Sequence, residues 1–282
     1  MELVKYDNIE NFVNENMNLI LEKEWLNCLM VGNCLDGMKE KPNDWLLAKV
    51  TENSKTELII LYRKPWKLLL YSPTNNKSDE LFEFTAKEIY KIDANLLGVN
   101  SEKEIGNKFA EYYCEISNLN FKTHKPLRIL LLTNIEKANL NEELIFRKAS
   151  ISDKPILTKF IKTFYDDIGD KRYTNKEIEE KFDSYIKKEY YVIEDNGKIV
   201  SQTIFTRDLK KGKCISFVYT PEKERGKGYA YNLIYRVSKK ALDEGAEYCV
   251  LYTDDGNPIS NHVYEKIGYK RMVDCEDIEF YK

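Results

Sequence analysis

Residues 190–206, YYVIEDNGKIVSQTIFT, narrow the possible folds more than any other stretch. Two β-branched and aromatic runs flank Asn196-Gly197. An Asn-Gly pair in that position marks a tight hairpin, because both residues accept positive φ. A further strand, CISFVYT (214–220), is reached through the turn KKGK. What comes next changes the architecture. After Pro221 a basic, glycine-bearing turn opens a helix on which Ala230, Leu233, Ile234, Val237 and Ala241 share one face, and Gly245 stops it. EYCVLYT (247–253) reads as a buried strand, and Asn257-Pro258 starts another helix with Gly268 just past its end. On that helix Ile259, Val263 and Ile267 form an apolar stripe expected to face the core.

Upstream, LIFRKAS (144–150) alternates as a strand should. Asp153 is placed to cap a helix with Pro155 in its first turn and Ile156, Leu157, Phe160, Ile161 and Phe164 on its apolar face. Thr174, with Glu177 three residues on, has the pattern of a capping box and opens a helix carrying Ile178, Phe182 and Tyr185. Antiparallel strands followed by a strand–turn–helix–strand–helix unit predict a mixed α/β domain.

The first half repeats this order. Laid without gaps, Tyr71-Ser72-Pro73 falls on Tyr219-Thr220-Pro221, and Ala86 and Ile89 fall on Ile234 and Val237. A helical region (8–35) and strands near 45–51 and 57–63 precede that match. A strand near 95–99, the helix EKEIGNKFAEYYCEI and a strand at 127–133 follow it. The expectation is two similar domains, 1–135 and 143–282, joined by the polar stretch NIEKANLNEE (134–143), each a mostly antiparallel twisted sheet flanked by helices.

Composition excludes several classes. With 43% hydrophobic and 32% charged residues the chain is globular. A net charge of -3 and no basic stripe interleaved with aromatics argue against nucleic acid. The apolar run LRILLL (127–132) is too short to span a bilayer, and MELVKYDNIE lacks the apolar core of a signal peptide, so a cytoplasmic, membrane-free protein is expected. Six scattered cysteines without a C-x-x-C pair, beside two histidines, argue against zinc and for free thiols.

The turn in VYTPEKERGKGYA (218–230) carries the functional signal. A helix N-terminus offers unpaired N–H groups and partial positive charge, and the glycines allow close approach by an anion. The Rossmann pattern fails because Tyr231 stands where a third small residue is needed, and the Walker pattern is absent. What remains, R-x-x-G-x-A as Arg225, Gly228 and Ala230, resembles the acetyl-CoA loop of the GCN5-related N-acetyltransferases, Q/R-x-x-G-x-G/A. DDGNPISNHVYEKIGYKR, farther on, is similar to that family's N-x-x-x-N-x-x-Y-E-x-x-G-F/Y. The resemblance covers about residues 144–282, and the whole chain looks like two-domain members with a degenerate first copy.

The resemblance implies acetyl-CoA as cofactor and an amine of a small molecule or peptide as acceptor. It implies that Phe217, Val218 and Tyr219 bond the pantetheine arm and acetyl group through their backbones. Arg225, Gly226, Lys227, Gly228, Tyr229 and Ala230 would hold the pyrophosphate, Asn257 and Asn261 would touch the cofactor, and Tyr264 would donate a proton to the departing thiolate. The spacing of 257, 261 and 264 does place these residues on one helical face. Some family members carry a glutamate base on the strand before the loop, whereas Cys214 to Thr220 contains no carboxylate. A non-catalytic acyl-CoA-binding or regulatory protein therefore stands as the alternative, and a larger acyl group stays open, as does monomer against homodimer. In FYDDIGDKRY (164–173), Asp166, Asp167 and Asp170 could attract a cationic amine or form a solvated helix end. The first copy has YSPTNNKSDEL in place of the loop, without Arg or Gly and with Asp79 and Glu80 facing any phosphate, so it is expected to bind no CoA.

Overall fold

A computed structural model describes residues 1–170 and 173–282. The first half runs β1 (Glu2–Lys5), α1 (Ile9–Glu22), α2 (Cys28–Glu40), β2 (Leu46–Glu52), β3 (Lys55–Tyr62), β4 (Leu68–Tyr71), α3 (Asp79–Ile92), β5 (Gly98–Glu102), α4 (Lys103–Ser117) and β6 (Asn120–Leu132). The second runs β7 (Ile145–Lys148), α5 (Lys154–Asp167), α6 (Asn175–Tyr185), β8 (Tyr190–Asp195), β9 (Lys198–Phe205), β10 (Gly212–Tyr219), α7 (Tyr229–Asp243), β11 (Tyr248–Asp254), α8 (Pro258–Ile267) and β12 (Lys270–Tyr281). Both halves are mixed α/β with mostly antiparallel strands.

The chain groups into two compact units. One comprises Met1–Ile129 with Thr253–Asn257 and Met272–Lys282; the other comprises Leu130–Tyr252 with Pro258–Arg271. In the first unit the strand order is β1-β2-β3-β4-β5-β12. The last strand of the chain pairs antiparallel with β5, from Cys275 opposite Glu102 to Glu279 opposite Gly98. Ile278 and Phe280 of that strand enter a core with Leu58, Phe82, Phe109 and Tyr113, where the Tyr113 ring stacks on Phe280 at 5.2 Å.

In the second unit the order is β11-β10-β9-β8-β7, antiparallel except for the β10–β11 pair. Helices cover both faces. Leu233, Ile234, Val237 and Ala241 of α7 pack with Val200, Ile215 and Leu251. Leu157, Phe160 and Ile161 of α5 and Phe182 of α6 pack with Val192 and Ile204. This double cover explains why β9 is buried along nearly its whole length, including the polar run Ser201, Gln202 and Thr203.

Local signals come out largely as read. Asn196 and Gly197 have φ of 48° and 76° in the β8–β9 hairpin. Thr174 and Glu177 form the capping box of α6, a device that contributes about 1 kcal/mol. Two expectations are corrected. Asp153 makes no side-chain cap bond to α5; it completes a box with Ser150 across a 3-10 turn, Ile151–Asp153, and is gripped by both Nη atoms of Arg147. Ile259 does not face the core: it is 80% exposed, while Asn261, Tyr264 and Ile267 are the buried residues of α8. All six cysteines are buried, and none forms a disulfide. Among the described residues, no helix is long and apolar enough to cross a membrane.

Candidate functional site

The site grows from a defect in β10. Its parallel ladder with β11 pairs Gly212, Lys213 and Cys214 with Tyr248, Cys249 and Val250. On its other side, β10 pairs Ser216 with Ile204 and Tyr219 with Gln202, and the register shifts between them. Phe217 and Val218 fall in that shift, and Phe217 has φ 53°. A bulge leaves an extra residue outside the ladder and turns its amides away from the neighbouring strand. A bulky aromatic in the left-handed region is costly, so the surrounding structure must hold it there. Part of that hold is visible: Thr203 Oγ1 donates to Ser216 O at 3.0 Å and Ser201 Oγ donates to Tyr219 O at 3.2 Å. The buried hydroxyls of β9 thus brace the strand on both sides of the bulge.

Beyond Tyr219 the chain makes a second 3-10 turn, Glu222–Glu224, and enters α7 through Gly228 as N-cap, with no side-chain cap bond. Gly226 and Gly228 both have φ of 80°. A Cβ on Gly226 would meet nothing within 4 Å, so glycine is required there by backbone conformation and not by crowding. The helix's backbone bonding starts at Asn232, whose N–H donates to Gly228 O at 3.0 Å. Among the described residues, none accepts a hydrogen bond from the N–H groups of Gly226 through Tyr231. Unpaired donors at the positive end of a helix, with no side-chain cap, have the chemistry to accept an anion.

The charged residues of the turn are held by their neighbours. Arg225 Nε donates to Thr220 O at 3.0 Å and its Nη2 pairs with Asp167 at 2.7 Å. Lys227 pairs with Glu224 at 2.7 Å, and Lys198 also bonds that carboxylate. The two ammonium groups hold the Glu224 carboxyl down to about 2. The Tyr229 hydroxyl donates to Asp195, which pushes the phenol up to about 12. Ala230 is half-buried in the first turn of α7. The braces from Asp167, Lys198 and Asp195 were not visible as a motif, because each joins residues from separate elements.

On α8 the residues expected at the site separate by environment. Asn257 is exposed, lies in the segment grouped with the first unit, and donates its N–H to Asp254 O at 3.1 Å. Asn261 and Tyr264 are buried within the second unit. Burial alone pushes the Tyr264 phenol well up, so it carries its proton throughout the neutral range.

The segment 164–173 also looks different from the reading of its carboxylates. Asp167 is engaged by Arg225, and the N–H of Asp170 donates to Tyr165 O at 2.9 Å. Lys171 and Arg172 of this segment lie outside the described residues. What stands beside the bulge is a group of rings. Phe217 lies 4.8 Å from Phe164, 5.0 Å from Tyr185 and 5.4 Å from Tyr165, and Tyr165 lies 4.5 Å from Tyr173. Among the described residues, no group of three or more His, Cys, Asp or Glu is placed to hold a metal ion.

Residues 156–269 match the family model described as "Acetyltransferase (GNAT) family". Solved structures share the fold along the whole chain. A GNAT-family acetyltransferase from Colwellia psychrerythraea aligns with TM-score 0.65 at 13% identity, covering 100% of each chain. A GCN5-related N-acetyltransferase from Sphaerobacter thermophilus has TM-score 0.65 at 13% identity, covering 99% of this chain and 95% of its own. A tandem GNAT protein from the clavulanic acid biosynthesis pathway has TM-score 0.62 at 9% identity, covering 99% and 97%. No curated protein matches the sequence. The segment that matches the GNAT acetyltransferase family model, residues 156–269, contains both the glycine turn and the bulged strand.

Proposed function

We propose that the second unit is an acetyl-CoA-dependent N-acetyltransferase that acts on an amine by direct attack. The observation that carries this reading is the row of unpaired N–H groups from Gly226 to Tyr231, directly after a strand whose bulge frees Phe217 and Val218. Acetyl-CoA, when bound, supplies a thioester whose acyl carbon joins the acceptor nitrogen as its bond to sulfur breaks. The backbone of Gly226–Ala230 binds the diphosphate, and Arg225 and Lys227 add charge from positions already braced. The strained backbone at Phe217–Tyr219 orients the pantetheine amide, and the Val218 N–H is the donor assigned to the thioester carbonyl oxygen. Asn261 lines the same helix as Tyr264, which holds the proton for the departing sulfur.

Burial makes Tyr264 a reluctant acid, and the same burial disfavours a free thiolate beside it, so the departing sulfur would be a correspondingly stronger proton acceptor there. The acceptor's surplus proton leaves to solvent, since β10 carries no carboxylate. The first unit, without the glycine turn, is assigned a structural role and no CoA site. That same bare strand favours a second reading, an acyl-CoA-binding protein without catalysis. The two separate when acetyl-CoA and a panel of amines are incubated with the chain and free thiol is measured. Amine-dependent thiol release supports the transferase; CoA binding without release supports the second reading, and no CoA binding overturns both.

A further inference from the structure

A buried ring, Tyr165, and a half-buried one, Tyr173, already hold a cation beside the bulge. Lys181, on α6, places Nζ 4.0 Å from the centre of the Tyr173 ring and 5.3 Å from that of Tyr165. Both distances lie within the reach of a cation–π contact. The Tyr165 and Tyr185 hydroxyls face each other at 3.3 Å, adding lone pairs to the same cluster. Phe217 joins the two regions: its ring packs on Phe164, Tyr165 and Tyr185, and its backbone is the bulge itself. Other cations of the chain lie over a single ring, whereas Lys181 lies over two ring faces of one cluster. We infer that these rings are a cation subsite for the acceptor, and that Lys181 occupies it in the absence of acceptor.

The chemistry then narrows the substrate class. An amine that attacks a thioester must be neutral, so the nitrogen that reacts cannot be the one held as a cation by the rings. The acceptor is therefore an amine that carries a second, cationic nitrogen at a distance along its chain. The ring faces offer a place for a cation where the Asp167 carboxylate is already engaged by Arg225. This inference rests on the transferase reading for the identity of the ligand, but the subsite itself can be tested without acetyl-CoA.

The probe is choline, compared with its neutral isostere 3,3-dimethyl-1-butanol, followed by saturation-transfer NMR on the full chain without cofactor. Choline is expected to bind the Lys181→Met variant about 5-fold or more tightly than the parent chain, because the rings are vacated. Adding Tyr173→Leu should remove that gain, whereas Tyr173→Phe, which keeps the ring face, should preserve it. The isostere should bind at least about 5-fold more weakly than choline. Equal binding of the isostere, no gain on removing Lys181, or no choline binding at all would each overturn the subsite. Where the transferase reading also holds, a diamine should exceed a monoamine of the same length in kcat/KM. A transferase that fails this comparison while choline binds would place the subsite outside the acceptor path and overturn the substrate class.

Discussion

The two units each send a strand through a turn into a helix, and the two helix entrances are built in opposite ways. At α3 side chains of the turn cap the entrance and engage part of its donors. Ser78 Oγ accepts from Leu81 N at 3.4 Å, Asn76 Oδ1 from Ser78 N at 3.0 Å and Ser72 Oγ from Asn76 N at 3.0 Å, with Asp79 and Glu80 in the first turn. At α7 a glycine caps the helix without a side chain, and the donors are left open. The preceding strands differ in the same sense. β4 pairs with β3 in unbroken register, and its Leu70 carbonyl accepts from Ser101 Oγ at 3.0 Å. β10 breaks register and holds Phe217 at φ 53°. A side-chain-capped helix entrance is more stable by itself; an uncapped one keeps more unsatisfied amides for a ligand. The difference lies in a few side chains and not in the fold.

Gly228→Val breaks the contrast most severely. A β-branched residue at φ 80° is strained and fills the open face, so CoA affinity should fall by at least about 100-fold in calorimetry, with the circular dichroism spectrum unchanged. Chemistry is separated from binding by Tyr264→Phe, which should lower kcat about 10- to 100-fold and leave the CoA dissociation constant unchanged. An equal loss in both would make Tyr264 a packing residue.

Ala230→Glu converts the α7 entrance toward that of α3. CoA affinity should fall about 10-fold while the helix gains roughly 0.3–1 kcal/mol from a carboxylate near its positive end. Binding and melting temperature should thus move in opposite directions, and Glu80→Ala in α3 should leave CoA binding untouched.

The smallest effect concerns acid. Glu224 has its carboxyl held at about 2 against an ordinary 4.5, so its contribution to stability is complete above about pH 4.5 and is lost as pH falls toward about 2. Glu224→Gln should remove that part of the acid dependence, read as melting temperature against pH.

Local chemistry was legible in the sequence: the Asn-Gly hairpin, the Thr174–Glu177 box and the glycine turn all depend on residues within a few positions of one another. The Phe217 bulge was not, since nothing in CISFVYT distinguishes a bulged strand from a regular one. Apolarity misled at Ile259, where helical phase against the sheet, not side-chain character, decides which face is buried. Pairings across long stretches of chain, such as Asp167 with Arg225 and Cys275 opposite Glu102, carry no local signature at all. The aromatic cluster was hidden for the same reason: its rings come from two helices, the segment just before the second of them, and a strand.

The account rests on a glycine-entered, uncapped row of amides in one unit and a side-chain-capped, acidic entrance in the other, and an amide-resolved titration reads both together. With CoA added to the isotopically labelled full chain, the largest ¹⁵N–¹H shifts should fall on Gly226 through Tyr231, and the amides of residues 72–82 should not move. Shifts centred on 72–82, or spread over the chain with 226–231 unchanged, would contradict it.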